Sequence, residues 1–196
     1  MVQPSYIGHV STAFDAALLF EACWRGQLPL VTQRLSSNKA AQLVSSGQVF
    51  VYEQQGGGIR RWTDCLTWSP SRVLDEFLVY REVEGPRPRR VEKKEQGTEA
   101  ERIPEEWTKH LYGSLIDSYS FKVDGLVKKT VAVTVGSCTL RLVCYYTASD
   151  ILNGNLLAPS ADTNLLWITP RNEIQAALTG PAHSTRRFTP LSLGPF

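Results

Sequence analysis

Hydrophobic and polar positions follow two periods along the chain, and each period predicts one kind of secondary structure. Apolar side chains recur at helical spacing between residues 12 and 25, which predicts a helix capped by Ser11 or Thr12 and ended by Gly26. Alternation of apolar and polar residues is typical of strands, and it occurs in three segments: 48–53, 77–83 and the hairpin 131–146. This mixture of helices and antiparallel hairpins predicts an α+β fold.

Weaker patterns predict several further short elements. They are a strand at 6–10, a helix from Ser36 or Ser37 to Ser45, a strand at 59–62 that returns through the glycine triplet 56–58, a helix at 110–118, a helix to Asn153 capped by Ser149 or Asp150, and a strand at 165–168. The glycine triplet is not a phosphate-binding loop, because no Lys-Ser or Lys-Thr pair follows it at the required spacing.

A change of composition divides these elements into two lobes. Residues 85–106 are charged, interrupted by proline and almost without large apolar side chains, so they bury too little surface to order themselves. They predict a flexible linker between a first lobe at 6–84 and a second at 107–176. The basic run 86–90 within the linker is a localisation signal, a tether that contacts phosphates, or simply solvated chain. Residues 177–196 lose their periodicity and predict a poorly ordered tail.

Composition narrows the functional classes. The chain has 21 Lys and Arg against 19 Asp and Glu, a net charge of +2, so any binding of nucleic acid must come from clustered charge. The four cysteines form no CxxC pair and the three histidines are scattered, which predicts no metal site. No apolar run could span a bilayer and no secretory segment is found, which favours a reducing intracellular compartment.

The strongest candidate chemistry lies between residues 60 and 72, where guanidinium, indole and hydroxyl groups are concentrated. The cluster comprises Arg60, Arg61, Trp62, Thr63, Trp68, Ser69, Ser71 and Arg72. Arginine binds phosphates and guanine edges with a planar fork, and serine and threonine hydroxyls add donors to phosphate. The alternative is a hairpin whose two tryptophans are core and whose arginines are solvated surface. In the second lobe, the adjacent Lys128 and Lys129 point to opposite faces of a strand, so at most one would touch a ligand directly.

Several motifs of the chain resemble the WOPR-box family of fungal transcription regulators. In the first lobe they are IRRWTD at 59–64, WSPSRV at 68–73 and FLVYRE at 77–82, together with Leu28-Pro29 and Arg34-Leu35. In the second lobe they are GLVKKT at 125–130, CYYTASDI at 144–151 and Pro159-Ser160. The resemblance covers residues 6–84 and 107–175, which are both halves of the family's bipartite domain in the family's order.

The resemblance implies two conserved halves that interlock into one mixed α+β globule and bind T/A-rich double-stranded DNA through both grooves. It implies a nuclear regulator of morphological switching or sporulation, with no cofactor and no small-molecule substrate. Carried over by motif, the expected DNA-binding residues are Arg60, Arg61, Trp62, Thr63, Asp64, Ser69, Ser71 and Arg72 in the first half, and Lys128, Lys129 and Thr130 in the second. One arginine of the 60–61 pair is expected to reach bases and the other to pair with an acid such as Asp64.

Two other classes of function compete with this prediction. An enzyme would need a nucleophile with its base, a carboxylate pair or a cofactor loop, and the sequence has no arrangement of this kind that stands out. The other class is a protein- or RNA-interaction module that keeps the fold without DNA specificity. That alternative is favoured if the basic side chains of the two halves do not share one face.

Overall fold

The computed structural model describes residues 2–54, 58–85, 103–116 and 119–180. Its framework is one antiparallel sheet of six strands in the order β1-β2-β6-β5-β4-β3. The strands are β1 (Tyr6–Ile7), β2 (Gln48–Glu53), β3 (Arg72–Leu74), β4 (Phe77–Arg81), β5 (Val127–Val135) and β6 (Cys138–Tyr146). The helices are α1 (Ala13–Trp24), α2 (Ser37–Leu43), α3 (Glu105–Tyr112), α4 (Ala148–Leu152) and α5 (Asn172–Thr179). The predicted α+β class is confirmed.

The two halves of the chain share this single sheet. The hairpin of β5 and β6, from the second half, lies between β2 and β4 of the first half. In the antiparallel register Val51 pairs with Leu142, and Val79 pairs with Lys129. Each half therefore supplies the hydrogen-bonding neighbours of the other, which is the physical form of the interlocking that the resemblance implied.

Alternate residues of the strands bury two different faces of the sheet. The first face carries side chains such as Val51, Val79 and Leu142, and α1 and α5 pack on it. The second face carries Phe50, Tyr52, Val143 and Tyr145, and it is covered by α2 and the segment that follows residue 58. Helix α1 is buried almost all round and begins with a capping box between Thr12 and Asp15, so it begins where the sequence predicts.

A buried carboxylate joins α1 to the start of α5 on the first face. Glu21 accepts hydrogen bonds from Arg25 Nε at 2.6 Å and from Arg171 Nε and Nη2 at 2.8 and 2.9 Å. The hydrogen bonds from Arg171 lower the pKa of Glu21 to about 2, although burial by itself would raise it. The carboxylate thus stays ionised in the folded protein far below its ordinary range.

Glu21→Gln is expected to lower the free energy of unfolding by about 1–2 kcal/mol at pH 6. This is less than the full free energy that the lowered pKa implies, because both arginines are partly exposed to water, which screens the ion pairs. The folded pKa lies below the ordinary value of 4.5, so this stabilisation is complete above pH 4.5 and is lost as the pH falls through about 2. Urea unfolding of both proteins from pH 6 to pH 2 measures it. A stability difference that does not shrink toward pH 2 would contradict the assignment.

Arg81 fixes the second-half helix α3 to the first-half strand β4. Its guanidinium lies over the rings of Tyr112, at 3.8 Å, and Phe121, at 4.0 Å, and donates hydrogen bonds to the carbonyls of Leu115 and Ile116. Stacking between two rings and bonding to the carbonyls just after α3 use the flat shape of arginine, which lysine does not have.

Two predicted strands are not formed. Residues 59–62 are not a strand, because both edges of β2 are already occupied by β1 and β6. Residues 165–168 form turns in which Leu165 and Ile168 are buried while Leu166 and Trp167 are exposed. Burial three residues apart is the spacing of a turn, so the apolar run was assigned the wrong period.

Several helices also differ from the prediction. α3 begins at Glu105, inside the predicted linker, and ends at Tyr112. α4 is capped by Thr147, whose side chain accepts from Asp150 N, instead of by Ser149 or Asp150. α5 was not predicted, and it extends past 176 because Leu178 is buried one turn after Ile174. The basic run at 86–90 and the segment from 181 lie outside the described residues, as do Gly56 and Gly57.

Candidate nucleic-acid interface

Residues 58–68, here called the arginine loop, cross the second face of the sheet. Ile59 is buried there, and Trp62 stacks on Tyr52 with ring centroids 5.4 Å apart and planes 18° apart. Trp62 also contacts Phe50, and Trp68 contacts Tyr145. Both tryptophans are therefore supports for the loop, which agrees with the alternative that made them core side chains.

Asp64 is the centre of a buried polar network beneath the loop. Its Oδ2 accepts from Lys128 Nζ at 2.9 Å and from the Tyr145 hydroxyl at 2.8 Å, and its Oδ1 accepts from Trp68 Nε1 at 2.9 Å. The Tyr145 hydroxyl in turn accepts from Trp62 Nε1 at 2.7 Å. These five residues, here called the buried network, join the loop of the first half to β5 and β6 of the second.

The network holds an ion pair away from water. Burial would raise the pKa of Asp64, but the charge of Lys128 and the hydrogen bonds from Trp68, Lys128 and Tyr145 outweigh it and lower the pKa. Burial lowers the pKa of Lys128, and the charge of Asp64 opposes that shift. Lys128 Nζ also lies 4.2 Å from the centroid of the Trp68 ring and 4.9 Å from that of Tyr80. Asp64 therefore stays ionised, and the positive charge of Lys128 balances its negative charge inside the protein.

Arg60 and Arg61 project into solvent from this anchored loop. Both are exposed, and within the described part of the chain neither forms a salt bridge or a side-chain hydrogen bond. The expectation that one of them pairs with Asp64 is wrong, because Lys128 and Tyr145 already occupy that carboxylate. Two exposed guanidinium groups without an acidic partner are suited to phosphates or base edges.

Arg34 is a further cation at this surface, and sequence reasoning did not include it in the site. Its Nη2 donates to Thr63 Oγ1 at 3.0 Å, so the segment that precedes α2 is joined to the arginine loop. Arg34 is exposed and Thr63 is half-buried. The signal in the sequence was the Arg34-Leu35 motif, but nothing in the pattern of residues showed that it would meet Thr63 across 29 residues.

The other first-half candidates do not share this exposed position. Ser69 is buried, and it joins the loop to β4 by donating from its N–H to Arg81 O and accepting from Arg81 N. Arg72 pairs with Val79 in the sheet, so its Cβ lies on the first face. Its Nη1 donates a hydrogen bond to the Ser71 carbonyl at 2.9 Å. Ser71 is half-buried.

The second-half candidates divide between the two faces. Lys129 is 4% exposed on the first face, where its Nζ donates to the carbonyls of Val10 and Ser11 and lies 4.1 Å from the centroid of the Phe77 ring. This geometry contradicts its expected role as a DNA ligand. Lys128 is on the second face, paired with Asp64, and Thr130 is half-buried on that face. The opposite orientation of the adjacent lysines is as predicted.

Comparison with known proteins places this fold. The sequence model of the Gti1/Pac2 family matches residues 5–108 and 91–147. The chain belongs to the Gti1/Pac2 family. The structure of the family's WOPR domain of Wor1 from Candida albicans in complex with 13 bp dsDNA has a TM-score of 0.67, 27% identity, and coverage of 92% of this chain and 99% of that one. The WOPR-box resemblance is therefore confirmed.

Curated relatives in the Gti1/Pac2 family are similar over most of the chain. The global transcription regulator sge1 of Gibberella fujikuroi is 38% identical over 203 residues, which cover 88% of this chain and 61% of that protein. The cAMP-independent regulatory protein pac2 of Schizosaccharomyces pombe is 34% identical over 190 residues, covering 84% of this chain and 79% of that protein. The chain thus spans about three-fifths of the length of sge1.

Two further observations concern other kinds of site. In the described ranges, no helix is both long and apolar enough to cross a membrane. The same residues contain no group of three or more His, Cys, Asp or Glu side chains arranged to hold a metal ion.

Proposed function

We propose that this chain is the DNA-binding part of a nuclear fungal transcription regulator that recognises T/A-rich double-stranded DNA through the arginine loop. The observation that carries the proposal is the pair of exposed guanidinium groups of Arg60 and Arg61, which have no acidic partner among the described residues. They are held on a fold similar to that of the DNA-bound Wor1 domain. The relatives named as transcription regulators support the regulatory part of the proposal. Control of morphological or developmental switching belongs to the same proposal.

The geometry supports different roles in DNA binding for the exposed side chains of the loop and its neighbours. Arg60 and Arg61 are adjacent and suited to a narrow A·T minor groove, whose negative potential attracts guanidinium groups. Arg34 and Thr63 lie beside them and can position phosphates without reading sequence. Asp64 would repel a phosphate if it were exposed, but Lys128 neutralises it beneath the loop. The loop therefore presents a net positive surface to DNA.

The unmodified protein is expected to bind a T/A-rich duplex more tightly than a G/C-rich duplex of the same length. With about three exposed cations on phosphates or in a groove, affinity should fall by roughly one to two orders of magnitude as salt rises from about 50 to about 200 mM. Fluorescence anisotropy on both labelled duplexes across a salt series measures both effects. Equal, weak binding to the two duplexes would contradict the proposed function.

One observation favours a second candidate, an RNA- or protein-interaction module. The basic side chains of the two halves do not share one free surface, because Lys129 is buried on the first face and Lys128 is ion-paired. Of the basic side chains expected to bind DNA, the two that the structure describes as exposed are Arg60 and Arg61 of the arginine loop. An RNA duplex and single-stranded RNA of the same sequence in the same assay separate the candidates. Tighter binding to either RNA than to the T/A-rich DNA would favour the second candidate.

A further inference from the structure

The Tyr145 hydroxyl is the junction between the arginine loop and the sheet. It accepts a hydrogen bond from Trp62 Nε1 and donates one to Asp64 Oδ2, at 2.7 and 2.8 Å. Tyr145 is 0% exposed and lies in the centre of the second face, where it also contacts Phe50 and Trp68. This buried hydroxyl therefore links Trp62 and Asp64, the two loop residues on either side of Thr63.

The arginine loop is held to the sheet by side chains and not by strand pairing of its own. Between residues 58 and 67 it has no strand structure, and its nearest bridge to the sheet is the pairing of Trp68 with Glu82. Its position therefore depends on side-chain anchors. Ile59 is buried immediately before the two arginines and Trp62 is hydrogen-bonded immediately after them. The arginines are the two residues between these anchors.

We propose that Tyr145 is a positioning residue for Arg60 and Arg61, and that it sets the sequence preference of the loop without touching DNA. The inference rests on the proposed function. Without the hydroxyl, the Trp62 indole would lose its acceptor and Asp64 would lose one of its donors, so the anchor after the arginines would loosen. Base readout requires a fixed register, whereas phosphate attraction tolerates movement. Loss of the Tyr145 hydroxyl should therefore reduce the preference for T/A-rich over G/C-rich DNA more than it reduces non-specific affinity for DNA.

Tyr145→Phe is expected to weaken binding to the T/A-rich duplex by about 2- to 10-fold, the fold-change that corresponds to the net free energy of about one buried hydrogen bond. Binding to the G/C-rich duplex and the slope of log K against log salt should stay unchanged, because no phosphate contact is removed. Fluorescence anisotropy measures both. Hydrogen–deuterium exchange of residues 59–66 should become faster in this variant, in the absence of DNA.

Tyr146→Phe is the matched control, since Tyr146 is the next residue on the same strand and is equally buried. Its hydroxyl donates to the Leu111 carbonyl at 2.6 Å on the first face, away from the arginine loop. The variant should lower the melting temperature about as much as Tyr145→Phe. It should keep the T/A preference and the slow exchange of residues 59–66.

The outcomes separate this inference from the proposed function. Loss of preference in Tyr145→Phe but not in Tyr146→Phe, with faster exchange of the loop in the former alone, supports the positioning role. Retained preference in Tyr145→Phe, or equal loss in both variants, overturns it while the proposed function stands. If the unmodified protein shows no T/A preference, the proposed function fails and the positioning role fails with it.

Discussion

Asp64→Ala is expected to lower the free energy of unfolding by about 3–5 kcal/mol, because it leaves a buried charge without its partner. Lys128 Nζ would keep its position beneath Trp68, with a side chain only 13% exposed, and no carboxylate to bond. The Tyr145 hydroxyl and the Trp68 indole would each lose an acceptor as well. Against a typical total stability of about 5–15 kcal/mol, this loss is large. Urea unfolding followed by tryptophan fluorescence measures it.

A double-mutant cycle with Lys128→Met tests the cause of that loss. The double variant Asp64→Ala/Lys128→Met removes both charges, so it should recover part of the stability that Asp64→Ala loses, with a coupling of about 1–3 kcal/mol. Asp64→Asn, which keeps the acceptor oxygen and removes the charge, should lie between the unmodified protein and Asp64→Ala. If the losses of the two single variants simply add in the double variant, the interaction between Asp64 and Lys128 does not stabilise the protein.

Arg60→Ala/Arg61→Ala is expected to weaken binding to the T/A-rich duplex by on the order of 10²- to 10³-fold, because it removes a base-reading fork and a neighbouring phosphate contact together. Both side chains are exposed, and among the described residues neither has a salt-bridge partner, so the fold should not change. The melting temperature is expected to stay within about 2 °C of the unmodified protein. Anisotropy at one fixed salt concentration measures the loss.

Much of the framework could be predicted from local patterns. The alternation of 131–146 predicted the hairpin of β5 and β6, and the cap at Ser11 or Thr12 with the stop at Gly26 predicted α1, because these signals depend on neighbouring residues. The strand at 59–62 could not be rejected in this way. Its exclusion depends on β1 and β6 occupying both edges of β2, and that is a property of the whole sheet.

The candidate site was predictable in composition but not in geometry. The density of arginine and tryptophan at 60–68 indicated the segment that forms the exposed arginine loop, and the strand period placed Lys128 and Lys129 on opposite faces. The partner of Asp64 could not be inferred, because Lys128 and Tyr145 approach it from strands 64 and 81 residues away in the chain. For the same reason, residues that shared a motif separated into exposed arginines and buried supports.

The most direct test of the account is the salt dependence of binding to the T/A-rich duplex for Arg60→Ala/Arg61→Ala beside Arg25→Ala. Arg25 follows α1, which packs on the first face, so its removal changes the net charge without touching the arginine loop. The account predicts a slope of log K against log salt that falls in magnitude by about 0.9–1.8 in the double variant and stays unchanged in Arg25→Ala. Equal slopes in all three proteins would contradict it, since the loop would then not be the surface that meets DNA.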